Sequence, residues 1–317
     1  MDVRRRTPHR LSSGPNSYTS LATSADRRRL ALTLANPKRT LWSLQISNST
    51  PGNSEPSPIS LATNAGFFPR LGPNFLLYVS STGTSESIWK FANGTGMELW
   101  SAREAHVLGA PGISPDGSSI AFSVLQNGQS KLLLMRSDGT NLRTVADSLD
   151  LKGSPAWAQD GKSITSAADD HGAPHLFRVP LDGQPPVAWV KEYSVEPTWA
   201  PDGSFVIFSG PDVGTTFPVK AAGDPRATHQ VPALTLTRGA RHLVFVSGGQ
   251  AIVFLRGDIQ HKDLWIVDLK TGEQRQLVKL PPDFDIRDFD ISADGRQVVL
   301  ERVQERSDIV LLDLPRK

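Results

Sequence analysis

The phrase "SPDG" at residues 114–117 returns as "AQDG" (158–161), "APDG" (200–203) and "SADG" (292–295). Looser forms stand at Ser24, Gly72 and Ser247, so seven anchors follow one another at intervals of 42 to 48 residues. A period of that length marks a chain built from stacked copies of one supersecondary unit.

The units read alike. Before the anchor comes a short extended run such as "SPAW" (154–157) or "EPTW" (196–199). After it comes an apolar, β-rich run such as "FLLYVSS" (75–81), "SIAFSV" (119–124) or "FVIFSG" (205–210). A third run follows, as in "KLLLMR" (131–136) or "DIVLLDL" (308–314), and then a second turn and a more polar fourth run. Helical periodicity is absent.

The repeated phrase is explained by backbone geometry. Pro sets φ at the first turn position, Asp accepts a hydrogen bond from its own backbone, and Gly takes the positive-φ site that closes a tight hairpin. Asp116, Gly117, Asp160, Gly161, Asp202, Gly203, Asp294 and Gly295 are therefore read as structural turn residues rather than catalytic carboxylates.

Four antiparallel strands in about 45 residues cannot bury both faces alone, and radial stacking solves this. The expected fold is all-β: one domain, 1–317, forming a seven-bladed β-propeller of four-stranded antiparallel blades. The blades are expected at roughly 14–63, 64–106, 107–148, 149–192, 193–239, 240–281 and 282–317. The last unit stops after three strands, while residues 5–13 form an orphan run before the first anchor. The N-terminal strand, residues 1–13, is expected to pair into the last blade and close the ring.

At "SPDG", "APDG" and the run from "DLWIVDL" (263–269) through "DIVLLDLP" (308–315) the chain resembles the TolB-like, WD-repeat-like bacterial propellers. Their motif is a folding motif, so the resemblance brings no catalytic residues. It implies a scaffold that binds other proteins, a sensory or assembly module of a bacterial signalling or envelope system. Similar propellers often follow a winged-helix or kinase domain, and neither is found in these 317 residues.

Composition narrows the chemistry. There is no cysteine, which excludes disulfides and thiol catalysis. Net charge is +2, so no nucleic-acid partner is expected from this domain, although residues 1–40 carry nine Lys/Arg against two Asp. No apolar run reaches the ~18–20 residues of a membrane helix, and the basic start lacks the apolar core of a secretory signal. A monomer without a cofactor is expected; the sequence leaves the compartment open, cytoplasmic as written and periplasmic as part of a larger exported or membrane-anchored protein.

No nucleophile elbow, zinc-peptidase helix or phosphate loop is present; "GISPD" (112–116) is a turn. Asp170, His171 and His175 are the candidates for a metal site, with solvated loop residues as the plainer reading. Arg70 and Asp290 break a series of small residues on the inner strands and are expected to line the channel, by mutual ion pairing or around a ligand. The loops joining second to third strands, and one blade to the next, vary most. Tyr193, Glu196, His261 and Asp288 on that face are the expected partner-binding residues. The leading expectation is a non-catalytic protein-interaction scaffold. The alternative is a propeller enzyme, a lyase or hydrolase with a channel-mouth His/Asp site, or the detached propeller of a prolyl-oligopeptidase-like peptidase.

Overall fold

A computed structural model describes residues 17–26, 28–35, 37–46, 55–83, 85–223 and 231–313. Strands dominate; among the described residues the one helical element is a single 3-10 turn, Ser247–Gly249. No helix is long and apolar enough to cross a membrane.

Seven antiparallel sheets are present, six of them with strands in blade order. Blade I holds Phe67–Leu71, Leu76–Ser81, Glu86–Ala92 and Thr95–Ser101. Blade II holds Gly112–Ile113, Ser119–Gln126, Gln129–Arg136 and Arg143–Ala146, and Ala105–Val107 also pairs with its second strand. Blade III holds Asp150–Trp157, Ser163–Asp170, Ala173–Pro180 and Val187–Val190. Blade IV holds Val195–Trp199, Phe205–Ser209, Thr216–Gly223 and Leu234–Thr237. Blade V holds Val244–Val246, Ala251–Gly257, Lys262–Asp268 and Gln274–Val278. Blade VI takes Asp285–Ile291 and Gln297–Gln304 from the C-terminal part, then Lys38–Gln45 and Ser57–Pro58 from the N-terminal part.

The second strands explain the continuous apolar runs. Phe205–Ser209 is buried at every position, and Ser163–Asp170 at its first six. Such a strand is covered on both faces by neighbouring blades, so it does not alternate apolar with polar. The core accordingly lies between blades. Phe67, Leu77 and Ile88 of blade I pack with Phe122 and Met135 of blade II, and Val253 and Leu264 of blade V with Phe289 and Leu300 of blade VI.

The turns have the expected geometry. Gly117, Gly161, Gly203 and Gly295 have φ of 72°, 67°, 72° and 71°. Asp116, Asp160, Asp202 and Asp294 each accept from the backbone N–H two residues on, at 2.9 to 3.1 Å.

The first and last units differ from expectation. Seven four-stranded blades were anticipated; the described residues form five four-stranded sheets and one of five strands around one channel, and a seventh sheet of three strands. That seventh sheet joins Ser17–Thr23 and Arg29–Ala35 to Ser307–Asp313. The first and last units have exchanged third strands: Lys38–Gln45 pairs with Gln297–Gln304 over eight positions, and the C-terminal strand pairs with Arg29–Ala35. The physical reason is charge as well as pattern. Lys38–Gln45 brings Arg39 to the fully buried Glu301, whereas Ser307–Asp313 has no cation to offer. The expected pairing of residues 1–13 into the last blade falls outside the described residues.

Candidate functional site

The inner strands of the blades converge on an axial channel with two mouths. One cavity, about 240 Å³, opens among the repeated turns, beside Pro115 and Gln159. The other, about 260 Å³, opens among the loops, beside Leu108, Gly239, Arg241 and Arg287. Arg70, Ser154, Glu196 and His242 line both and form the waist between them.

Inner-strand bulges build this waist. Pairing to the second strand shifts register between Phe67 and Arg70, Lys152 and Ala156, Val195 and Thr198, and Ile286 and Asp288. Three bulge residues are left-handed: Phe68 (φ 54°), Gly153 (φ 72°) and Glu196 (φ 52°). A bulge re-aims the side chain it carries, here turning Glu196 towards the axis. Its Oε1 accepts from Ser154 N–H at 3.4 Å, and a Cβ on Gly153 would collide with that oxygen. Glycine in blade III therefore makes room for a carboxylate from blade IV.

Where blade VI meets blade I, charged groups form a buried lattice. Arg70 Nη1 donates to Asp288 Oδ2 at 2.9 Å and to Pro69 O at 2.6 Å. Asp290 accepts from Leu71 N–H at 2.7 Å and from Ile291 N–H at 2.8 Å. Glu301 accepts from Arg39 at 2.7 Å and from Phe68 N–H at 3.0 Å. Arg39 also lies 3.8 Å over the Phe67 ring, a cation–π contact.

Burial dominates the titration of these groups. It pushes Asp290 up to about 6 and raises Asp288, Glu196 and Glu301, opposed by the neighbouring arginines. Burial and then Arg70 hold His242 well below the usual imidazole range, so it is neutral at physiological pH. The ring meets Phe289 edge-on at 5.7 Å.

Among the residues singled out from sequence, Arg70 and Asp290 line the channel. Their relation is indirect: Arg70 pairs with Asp288, while Asp290 serves backbone N–H groups. Glu196 and Asp288, read as rim residues, sit inside the channel; Asp288 is 5 % exposed. Charge reversal there would disrupt the lattice, so neither can serve as a stability-neutral probe of a rim. Tyr193 is half-buried in the loop between blades III and IV, where Ser194 N–H reaches Pro174 O. His261 lies in the second-to-third-strand hairpin of blade V, 3.5 Å from Asp263, with Nδ1 buried and unpartnered.

Asp170 sits between two imidazoles, 3.5 Å from His171 and 3.4 Å from His175. His171 is 97 % exposed, and no group of three His, Asp or Glu side chains among the described residues is arranged to hold a metal. Sequence reasoning missed His242, Arg39, Glu301 and Lys262. Lys262 is 1 % exposed, donates to Ile259 O at 3.0 Å and has its pKa lowered by burial. Its one sequence signal is a cation directly before the apolar run "DLWIV" (263–267).

Residues 66–288 match the TolB beta propeller domain model. TolB from Acinetobacter baumannii is similar in structure, with TM-score 0.56 and 17 % identity over 85 % of this chain. The match spans 65 % of that protein's length. Oligogalacturonate lyase from Vibrio parahaemolyticus gives TM-score 0.54 and 12 % identity, covering 90 % of this chain and 96 % of that one. A puromycin-hydrolyzing peptidase from Mycobacterium tuberculosis gives 0.52 and 15 %, covering 86 % and 55 %. Identities this low speak for a shared fold alone, one that hosts several functions. With the family model matching more than two thirds of its length, the chain belongs to the TolB β-propeller domain family.

Proposed function

We propose that this propeller is a non-catalytic interaction module whose loop face, around the mouth flanked by Arg241 and Arg287, holds a protein partner. The observation that carries this reading is the use made of the channel carboxylates. Asp288 takes Arg70, Asp290 takes inner-strand N–H groups and Glu196 takes the N–H of Ser154, which makes them joints of the ring. General acid–base work asks instead for a group free to reach a reacting proton. Around these joints a rigid scaffold carries Tyr193, His261, Arg241 and Arg287 on loops and strand ends, the usual material of a binding surface.

A second reading, a propeller lyase or hydrolase, has one observation in its favour. His242 is a neutral imidazole at the channel waist, on the same cavities as Glu196. The names of two similar structures, a lyase and a peptidase, agree with it.

The test is affinity capture from a bacterial extract with wild-type protein and surface variants. Tyr193→Asp and Arg287→Glu should abolish capture of a specific partner, while Arg296→Glu on the turn face leaves it intact. Equal losses on both faces, or retention in all variants, would reject the loop-face assignment. Turnover that disappears in His242→Gln would establish the enzyme reading instead.

A further inference from the structure

The three-stranded sheet has two open edges, and they differ. One is Ser17–Thr23, a mostly polar strand with a register shift between Tyr18 and Ser20. The other is Ser307–Asp313, "SDIVLLD". It pairs with Arg29–Ala35 over seven positions without a shift, and with no other strand among the described residues. Bulges and short length are the usual ways a sheet blunts an edge. The outer strands of the channel blades use them. Thr95–Ser101, Arg143–Ala146, Val187–Val190 and Gln274–Val278 are reached through register shifts. Ser57–Pro58 has two residues and Leu234–Thr237 four. Ser307–Asp313 uses neither device.

Its side chains alternate between the two faces of the sheet. Val310 and Leu312, opposite Leu32 and the buried Leu30, are half-buried. Ile309 and Leu311, opposite Thr33 and Ala31, are 79 % and 66 % exposed. One face therefore carries bare apolar side chains up to an unprotected edge.

The strand is complementary to itself. A two-fold axis at Val310 sets a second copy antiparallel with all seven positions paired. Ile309 then stands opposite the partner's Leu311, Asp308 opposite the partner's Leu312, and Ser307 opposite the partner's Asp313. The two Ile309–Leu311 pairs bring four exposed apolar side chains together on one face, and no carboxylate stands opposite another. Asp308 neighbours the partner's Asp313 along the strand but lies on the other face, and Asp313 is already paired with Arg29 at 3.1 Å.

We propose that Ser307–Asp313 is an isologous dimer interface, where a second copy of this chain adds the same strand antiparallel about Val310. The product is a six-stranded sheet, and a dimer in place of the monomer expected from sequence. One strand pair is a small contact, so the dimer is weak and concentration-dependent. It uses none of the loop-face residues and does not depend on that assignment.

The chain has no cysteine, so single cysteines report the register on the intact protein. At the axis Val310 meets its own copy with Cα atoms about 4.5–5.5 Å apart, within disulfide reach. Ser307 stands six positions from its copy, about 20 Å. Under mild oxidation with diamide, Val310→Cys should form a covalent dimer, and Ser307→Cys, at a more exposed position, should not. Sedimentation of the wild type from about 1 μM to about 1 mM should show the mass moving from one chain towards two. Ile309→Lys with Leu311→Lys sets like charges opposite each other in both pairs and should leave a monomer throughout. Ile309→Lys with Leu311→Glu sets opposite charges there and should restore the dimer. A wild type that stays monomeric at the highest concentration would leave this edge to some other polypeptide and overturn the proposal. So would cross-linking of Ser307→Cys as fast as Val310→Cys, or equal masses for the two double variants.

Discussion

Arg70 Nη1 lies 2.9 Å from Asp288 Oδ2, joining the inner strands of blades I and VI across 218 positions of sequence. The side chains are 11 % and 7 % exposed. With Asp290 on Leu71 N–H and Glu301 on Phe68 N–H, this pair makes the junction of the first and last blades a buried, charged one.

A buried pair of this kind is costly to halve. Asp288→Ala leaves a guanidinium without its counter-charge, which typically destabilises by about 3–5 kcal/mol. Replacing both partners, as in Arg70→Met with Asp288→Leu, should cost less than Asp288→Ala alone. Urea unfolding of the three proteins checks this; a single variant within about 1 kcal/mol of wild type would show that the pair contributes little.

The pH dependence has a sign set by burial. In the unfolded chain Asp290 titrates near 4, and in the folded chain near 6. The folded state thus binds the extra proton between those values, and this group's stability contribution falls as pH rises through them. Relative to Asp290→Asn, wild type should lose stability from pH 4 to pH 7. His242 acts oppositely: its folded pKa is depressed, so wild type should lose stability relative to His242→Gln as pH falls below about 6.5. Melting temperatures across that range decide it, and parallel curves for wild type and Asp290→Asn would remove the buried-carboxylate explanation.

The repeated turns separate two costs of replacing glycine. Gly161 has φ of 67° and no atom within 4 Å of an added Cβ, so Gly161→Ala carries the left-handed strain alone, about 1–2 kcal/mol. At Gly117, with φ of 72°, the same Cβ would also meet Pro73 Cγ at 2.7 Å. Gly117→Ala should therefore cost more than Gly161→Ala. Asp116→Asn should be milder than either, because Asn can still accept from Ser118 N–H. Equal urea midpoints for the two alanine variants would contradict the contact with Pro73.

What sequence shows well here is whatever is local. The turn aspartates and glycines are legible because each makes its hydrogen bonds within a few residues, as Asp116 does with Ser114 and Ser118. The exchanged third strands are not legible, because one copy of a repeat offers a neighbour nearly the same apolar pattern as another. Arg39 shows the limit. Its partner Glu301 is 262 positions away, and nothing near either residue announces the pairing. Glu196 and Asp288 were expected on the partner-binding loop face, and their depth in the channel follows from inner-strand bulges that leave no mark in composition.

The contact between Gly153 and Glu196 gives a final prediction. Gly153 has φ of 72° and its missing Cβ leaves the space that Glu196 Oε1 occupies. Gly153→Ala therefore combines left-handed strain with displacement of a carboxylate at the channel waist. In a Glu196→Ala background only the strain remains, about 1–2 kcal/mol, so the alanine at 153 should be less harmful there than in wild type. Residues in contact couple in such cycles by about 0.5–3 kcal/mol. A thermodynamic cycle of the two single variants and the double variant reads this directly. Strict additivity would mean that the carboxylate yields without cost, and that glycine at 153 serves the backbone alone.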